Sequence, residues 1–561
     1  MTDEALIEAA RAWIAEDPDP VTQRAGELLL SSHDLNGLRA CFGERLTFGT
    51  AGLRGALGPG PNRMNRALVR RASAGFGQYV VNELGVGTMA VGYDARHGSR
   101  DFAEDTARVL AGLGFTVFLA REPAPTPLLA YAVRALGCRG GVMVTASHNP
   151  PQDNGYKVYW SNAAQIIPPQ DAGISACIDE VKAQAWIMVP EMADLLRAGR
   201  VRPIPVAVDQ AYAHEVDALR SWTGPTDIGI VYTAMHGVGR KEVEQALTRN
   251  GYAHLHVVPE QGDPDPDFPT VAFPNPEEPG ALDLALALAT RIGADVVLAN
   301  DPDADRLAVA LPVPGEHARF RALTGNELGV LLADDCFRHA PPVDKPLVAC
   351  SVVSSQLLGR MAAARGVACA QVLTGFKWIA DAALKHAARG GHFVMGYEEA
   401  IGYSVGEVVR DKDGVSAALL VADMVARARA EGATLFDRLA AIYQAHGVHR
   451  SRQKSLRMTP AEGAVLMARI RANPPTAIGP YAIEKTTDFL IDKTGLPPSD
   501  LLAYHLEGGH RILVRPSGTE PKVKVYFEAV LPMAQGEALE AAEARTDAVL
   551  DALVQAFSAV V

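Results

Sequence analysis

This sequence predicts an α/β protein: three tandem mixed α/β domains with helix-flanked sheets, then a smaller C-terminal α+β domain, arranged around a central cleft. Two observations carry that prediction. The chain has 561 residues, and at roughly 150 residues per domain such a length corresponds to three or four domains. Three consecutive segments repeat one plan of strand, helix, strand, helix, strand, each ending in a loop of polar residues. That alternation builds parallel sheets covered by helices, in which ligands gather at the carboxyl ends of the strands.

The elements follow in order. The first forty residues read as a helical leader ending near Ser31-Ser32-His33-Asp34. In the first repeat 88–96 and 114–120 are strands around a helix at 101–113, and GGVMVTASHNP (140–150) is a strand running into a loop. In the second, strands at 227–235 and 252–258 alternate with helices at 239–250 and 280–292 before ADVVLANDPDADR (294–306). In the third, 346–355 and 367–378 lead to HFVMGYEEAIG (392–402). The last segment has a strand near 503–516, a second at 522–529 and a helix at 534–556. The proline-rich stretch 262–280 reads as an irregular loop, and 187–226 as an inserted helical connector. The expected domains are 1–200, 201–325, 326–454 and 455–561.

Composition narrows the function classes. The chain is 48% apolar and 21% charged, which is ordinary for a globular protein and wrong for a disordered one. Fifty-three Lys and Arg stand against 65 Asp and Glu, a net charge of −12. That argues against a general nucleic-acid or anionic-membrane binder, although a local Arg and Lys cluster still admits an anionic small substrate. No apolar run reaches the roughly 18 residues of a membrane span. The acidic, helical start is neither a secretory signal nor an Arg-rich transit peptide. Six scattered cysteines without a CxxC pair fit reduced thiols, so the expected location is cytoplasmic.

Four loops carry chemistry. Thr145-Ala146-Ser147-His148-Asn149-Pro150 places an exposed serine on a short turn beside an imidazole. Three readings stay open: a plain polar turn, a hydrolase nucleophile, and a serine that carries a phosphoryl group. The hydrolase reading lacks the G-x-S-x-G elbow, and side chains of adjacent residues usually point apart, which suits a triad poorly. Asp301, Asp303 and Asp305 alternate in Asp301-Pro302-Asp303-Ala304-Asp305-Arg306, so in extended backbone they share one side. Their oxygen ligands suit a hard cation such as magnesium or calcium. An EF-hand is excluded, because Arg306 and Pro312 stand where Gly and Glu belong. The segment 515–524 offers Arg515, Ser517, Gly518, Thr519 and Lys524, the parts of a phosphate cradle. Gly396–Gly402 holds Glu398 and Glu399, which can accept hydrogen bonds from sugar hydroxyls, or can form an exposed loop.

In this order and spacing the four loops resemble those of the α-D-phosphohexomutases, over about residues 40–550. The resemblance implies that Ser147 is the phosphoserine and that Asp301, Asp303 and Asp305, with the Ser147 phosphoryl group, hold Mg²⁺. It implies that Glu398 reads the sugar and that Arg515, Ser517, Gly518 and Thr519 grip the distal phosphate. Arg54 and Lys157 match basic residues around the phosphoserine, and Lys157 or His148 would shuttle the hydroxyl proton, with Lys157 favoured. Arg306, beside the metal loop, would offset phosphoryl charge from the protein side. Phe48–Gly55, Thr374-Gly375-Phe376-Lys377-Trp378 and Asp411-Lys412-Asp413-Gly414 resemble the branch containing phosphopentomutase, glucose 1,6-bisphosphate synthase and glucomutases. They add Thr374, Gly375, Lys377 and Lys412 to the substrate residues. Ala400 departs from the family pattern, where a serine helps contact sugar hydroxyls.

The resulting expectation is a mutase interconverting sugar 1-phosphate and 6-phosphate, glucose first, through a bisphosphorylated intermediate. Phosphopentomutase, phosphomannomutase and glucose 1,6-bisphosphate synthase are the alternatives. Mg²⁺ and glucose 1,6-bisphosphate are the expected cofactors. A small phosphosugar is the expected partner, with no nucleic acid or membrane, in a monomer or weak homodimer.

Overall fold

The structure is a computed structural model that describes residues 1–49, 52–181, 183–316, 319–516 and 522–558. The chain divides into two compact units, Met1–Leu323 with Gly402–Ala426, and Thr324–Ile401 with Arg427–Val561.

The first unit opens with three helices, Asp3–Glu16, Pro20–Ser31 and Leu35–Phe42. Leu6, Ala10, Ile14, Leu38, Cys41 and Phe42 close a small core among them. The leader therefore continues past Ser31-Ser32-His33-Asp34, because Asp34 caps a third helix by accepting from the Gly37 N–H.

The first sheet runs, edge to edge, Leu53–Ala56, Asp153–Trp160, Gly140–Val144, Thr88–Tyr93, Thr116–Leu119 and Val201–Pro203. The last four are parallel neighbours, and Asp153–Trp160 is antiparallel to both of its partners. Every residue of Gly140–Val144 is buried, as a central strand covered on both faces must be. Residues 187–226 are not a purely helical connector: Val201–Pro203 pairs with Thr116–Leu119 and completes this sheet beyond the expected boundary at 200.

The second sheet orders Phe320–Ala322, Leu307–Pro312, Val296–Asn300, Ile230–Thr233 and Leu255–Val257. The stretch 262–280 is irregular, as its prolines require. No described helix is long and apolar enough to cross a membrane.

In the second unit Ala368–Val372, Pro346–Ser351 and His392–Glu398 form parallel pairs. The C-terminal sheet is antiparallel and six-stranded, ordered Val448–Arg457, Lys522–Leu531, Arg511–Pro516, Leu502–Leu506, Tyr481–Asp488 and Ala477–Ile478. Three of these strands lie outside the sequence-level expectation, and the first begins before residue 455. The expected strand at 503–516 is two, Leu502–Leu506 and Arg511–Pro516, folded back at Gly508 and Gly509, whose φ of 79° and 83° suits glycine. Helix Leu539–Ser558 covers the sheet through Leu550, Leu553 and Phe557.

A buried ion cluster ties this sheet to the turn after Pro346–Ser351. Arg511 donates to Glu528 Oε2 at 3.0 Å and to the Val352 carbonyl at 2.9 Å. Glu528 Oε1 also accepts from Ser355 Oγ at 2.6 Å and lies 2.9 Å from His449 Nδ1. Burial alone would raise the Glu528 carboxyl, but Arg511, His449 and Ser355 more than offset it and hold it well below the usual range. A depressed carboxylate stabilises the fold above its unfolded value of about 4.3 and loses that contribution as pH falls through the folded one. Arg511→Met leaves the carboxylate buried without its cation and is expected to cost about 3–5 kcal/mol, measurable by urea unfolding at pH 7. An unchanged midpoint would remove the cluster as a stabilising element.

Candidate active site

The first unit brings the serine and the carboxylates together. Gly140–Val144 delivers Ser147 from the first sheet, and Val296–Asn300 delivers Asp301 from the second. Ser147 Oγ donates to Asp301 Oδ2 at 2.8 Å. Ser147 is not exposed as expected from its loop; it retains 2% of its surface, because the carboxylate loop closes over it. Nor do Ser147 and His148 point apart. Ser147 has a φ of 54°, and in that left-handed turn Oγ lies 3.2 Å from His148 Nδ1. Burial first, then Arg306 and Arg54, pushes the His148 imidazole well below its usual pKa and keeps it neutral.

The three aspartates converge, but not by alternation along an extended chain. Residues 302–305 form a turn, with Ala304 at a φ of 53°, and one oxygen from each aspartate lies within 4.8 Å of the others. Lys157 on Asp153–Trp160 reaches them, with Nζ 2.6 Å from Asp303 Oδ2 and 2.9 Å from Asp305 Oδ2. Thr126 Oγ1 donates to Asp303 Oδ2 at 2.6 Å, and Lys412 Nζ lies 3.1 Å from Asp305 Oδ2.

The electrostatics separate the three groups. Burial, then Asp303 and Asp305, raises the Asp301 carboxyl well above the usual range. Burial also pulls on Asp303 and Asp305, but Lys157 on both, and Lys412 on Asp305, hold them below it. Burial opposes the charge on Lys157, and Asp303 with Asp305 restores it, so the amine stays an ammonium. Asp303 Oδ1 and Asp305 Oδ1 are buried without a hydrogen-bond partner among the described residues. An all-carboxylate set with two such oxygens fits a hard divalent cation.

The other basic residues that the sequence singles out in this unit sit near that centre. Arg306 donates its backbone N–H to Asp301 Oδ1 at 3.0 Å, and its Nε lies 3.9 Å from Asp301 and Asp305. Arg54 is exposed and donates to Asn149 Oδ1 at 3.1 Å. Lys412 is carried on a loop whose flanking carboxylates are anchored elsewhere. Asp411 Oδ2 accepts from Tyr159 and Gln165, each at 2.7 Å, and Asp413 Oδ1 from Tyr212 at 2.9 Å. Gly414 closes this loop against the aspartates: a Cβ there would lie 2.4 Å from the Arg306 carbonyl. These anchors have no periodic or motif signature of their own. Thr126, Tyr159, Gln165 and Tyr212 escape a sequence reading because their partners lie far away in the chain.

The second unit holds the residues expected to read the sugar and the phosphate. Glu398 Oε1 accepts from the Gly375 N–H at 2.6 Å, which joins the Glu398 loop to Thr374-Gly375-Phe376-Lys377. Gly375 has a φ of 115°, so glycine suits that turn. The Thr374 hydroxyl is buried with no hydrogen-bond partner among the described residues. Lys377 is buried, its Nζ 5.8 Å from the Trp378 ring centre. The two glutamates divide their roles. Glu399 Oε2 accepts from Ser351 and Ser354 at 2.9 and 3.0 Å, anchoring the loop from which Glu398 and half-buried Ala400 project.

Arg515 and Lys524 are direct partners across antiparallel strands. Like charges placed opposite one another destabilise a sheet, and a bound anion would offset that repulsion. Tyr526 faces both loops: burial, then Glu399, raises its phenol, with Arg515 opposing and Glu398 adding. Ser517, Gly518 and Thr519 lie outside the described residues.

Comparison with known proteins gives the chain relatives over most of its length. Models of the phosphoglucomutase/phosphomannomutase alpha/beta/alpha domains I, II and III match residues 45–185, 210–313 and 324–446, and that of the C-terminal domain matches 424–546. A probable phosphomannomutase of Haemophilus influenzae is 41% identical over 471 residues, 83% of this chain and 93% of its own. Human phosphopentomutase is 35% identical over 567 residues, covering 94% and 92%. Among solved structures, a putative phosphomannomutase from Thermus thermophilus aligns with a TM-score of 0.66 at 25% identity, over 91% of this chain and 99% of its own.

Proposed function

The chain belongs to the phosphoglucomutase/phosphomannomutase family, and we propose that this phosphomutase interconverts glucose 1-phosphate and glucose 6-phosphate through a phosphoserine at Ser147. The observation that carries the reading is the convergence of Ser147 Oγ, Asp301, Asp303, Asp305 and Lys157 from two sheets into one buried centre. A plain polar turn would not bury its serine against a carboxylate. A hydrolase triad would need its acid to orient the imidazole, whereas Asp301 accepts from the serine itself.

In the proposed cycle phosphorylated Ser147 gives its phosphoryl group to the free hydroxyl of a sugar monophosphate. The bond from phosphorus to Ser147 Oγ breaks as one to the sugar oxygen forms. The bisphosphate then turns end for end and returns its other phosphoryl group to Ser147. His148, 3.2 Å from Oγ, takes the hydroxyl proton and passes it to the leaving Oγ, which becomes the serine hydroxyl again. Lys157 stays an ammonium on the carboxylates and offsets phosphoryl charge, as does Arg306. Asp301, Asp303 and Asp305 would hold Mg²⁺, which supplies Lewis-acid stabilisation of the transferring phosphoryl group. Glu398 accepts from sugar hydroxyls, and Arg515 with Lys524 and the hydroxyls of Ser517 and Thr519 grips the second phosphate.

Pentose phosphates are the second reading. Ala400 supplies no hydroxyl where a hexose-reading serine is expected, and the relative named phosphopentomutase aligns over 94% of this chain. A ³¹P NMR competition decides between them. Glucose, mannose and ribose 1-phosphates are mixed with Mg²⁺, the enzyme and a trace of glucose 1,6-bisphosphate. Glucose 1-phosphate is expected to convert first. Prior consumption of ribose 1-phosphate would make the protein a phosphopentomutase and Ala400 part of its specificity. Release of inorganic phosphate at a comparable rate would replace the mutase scheme with a phosphatase.

A further inference from the structure

Ser147 holds a backbone conformation that a non-glycine residue adopts only where its surroundings over-determine it, and one side chain supplies much of that constraint. Arg96 is 4% exposed. Its Nη2 donates to the Ser147 carbonyl at 2.6 Å and to the Asn149 carbonyl at 2.5 Å. Its Nη1 donates to the carbonyls of Pro150 at 2.8 Å and Asp153 at 3.2 Å. Four carbonyls of one loop thus turn inward onto a single guanidinium. Asp94 holds that group from behind, with Oδ2 3.3 Å from Nε. Oδ1 of the same carboxylate is fixed by the Arg96 N–H and by Ser99 Oγ at 2.6 Å.

The face of the guanidinium is covered from the other sheet's domain. Phe268 places its ring centre 4.9 Å from Arg96 Cζ and is itself 3% exposed. It belongs to the proline-rich stretch 262–280, which contributes nothing to the chemistry described above. That stretch touches two further groups near the centre: Asp267 Oδ1 lies 2.8 Å from His97 Nε2, and Glu277 lies 3.8 Å from Arg306. An aromatic ring over a cation attracts it and keeps water from its hydrogen bonds.

We propose that Arg96, capped by Phe268, is a positioning residue for phosphoryl transfer: it holds the Ser147 loop so that Oγ stays aimed at the carboxylate centre, and the proline-rich stretch is the brace that seals it. This rests on reading Ser147 as the phosphoryl carrier. The role requires arginine, because a lysine ammonium carries three donors on one atom and cannot span four carbonyls while facing Asp94.

The test compares Arg96→Lys and Phe268→Leu with the unaltered chain. Arg96→Lys is expected to lower kcat about 100-fold, the cost of displacing a reacting atom by roughly 1 Å, with KM for the sugar phosphate unchanged. Phe268→Leu is expected to lower kcat about tenfold, from loss of the desolvated cation–π contact. Both should slow loss of label from phosphorylated Ser147 to sugar phosphate by the same factors. Both should also raise hydrogen exchange at the amides of 147–149 without raising it in Ile230–Thr233.

Unchanged kcat in both variants, or losses confined to KM, would overturn the proposal. If Arg96→Lys does not fold, Phe268→Leu decides. The phosphoserine reading fails separately, if the unaltered chain takes no label onto Ser147 from glucose 1,6-bisphosphate. Exchange at 147–149 would then still decide whether Arg96 and Phe268 hold the loop.

Discussion

Ser147→Ala is expected to lower mutase turnover by at least about 10⁴-fold, the scale on which a covalent nucleophile fails when its oxygen is removed. Alanine deletes the atom that would form the phosphoryl bond and leaves most of the loop in place. The Arg96 contacts are to backbone carbonyls, and Thr145 Oγ1 still accepts from the residue 147 N–H, at 2.8 Å in the native chain. The fold should therefore survive, with circular dichroism and the unfolding midpoint near those of the native protein. Sugar phosphate should still bind, since Glu398, Arg515 and Lys524 lie in the other unit. A coupled assay for product and label transfer from glucose 1,6-bisphosphate measure the loss. Near-normal turnover in this variant would end the phosphoserine scheme.

Removal of the divalent cation is the second large effect. Chelation should reduce turnover by about 10³-fold, the scale of losing one preorganised charge in a dry site, and Mg²⁺ should restore it. The same site should report on stability. At a hundredfold excess over Kd, Mg²⁺ is expected to add about 2.7 kcal/mol to unfolding of the native chain, read as a rise in thermal midpoint. Asp305→Asn should abolish that rise. It removes one ligand of the cluster and one carboxylate that holds Lys157 and Lys412. The metal-free form should remain folded, because those two ammonium groups already neutralise much of the charge on Asp303 and Asp305. A thermal midpoint indifferent to Mg²⁺ in the native chain would separate the carboxylates from metal binding.

Many of the candidate residues of each unit were legible in the chain. The serine loop, the alternating aspartates and the glutamate loop each follow an apolar strand, and strand ends are where an α/β sheet places its ligands; Arg515 instead lies within the antiparallel strand Arg511–Pro516. The repeat of strand and helix predicted three helix-flanked sheets from periodicity alone, since a buried parallel strand must be apolar on both faces. The C-terminal sheet was less legible. Val448–Arg457 and Tyr481–Asp488 are mostly polar strands with many exposed residues, and they lack the apolar run that marks a buried one. Val201–Pro203 is three residues long, too short for any alternation to register.

Residue types and their order were enough to propose the chemistry: a hydroxyl that would carry phosphate, three carboxylates that suit a hard cation, an arginine and lysines that suit an anion. Those properties reside in short segments and need no knowledge of distant partners. Only the tertiary structure decided burial, orientation and charge state. Ser147 and Asp301 are 154 positions apart and share a hydrogen bond. Lys157 is an ion-paired ammonium and not a solvated one because Asp303 and Asp305 meet it from another sheet. The aspartates converge through a left-handed turn at Ala304 and not through strand alternation. Arg96 has no motif to announce it, because its partners are backbone carbonyls, which every sequence possesses and only a fold can aim.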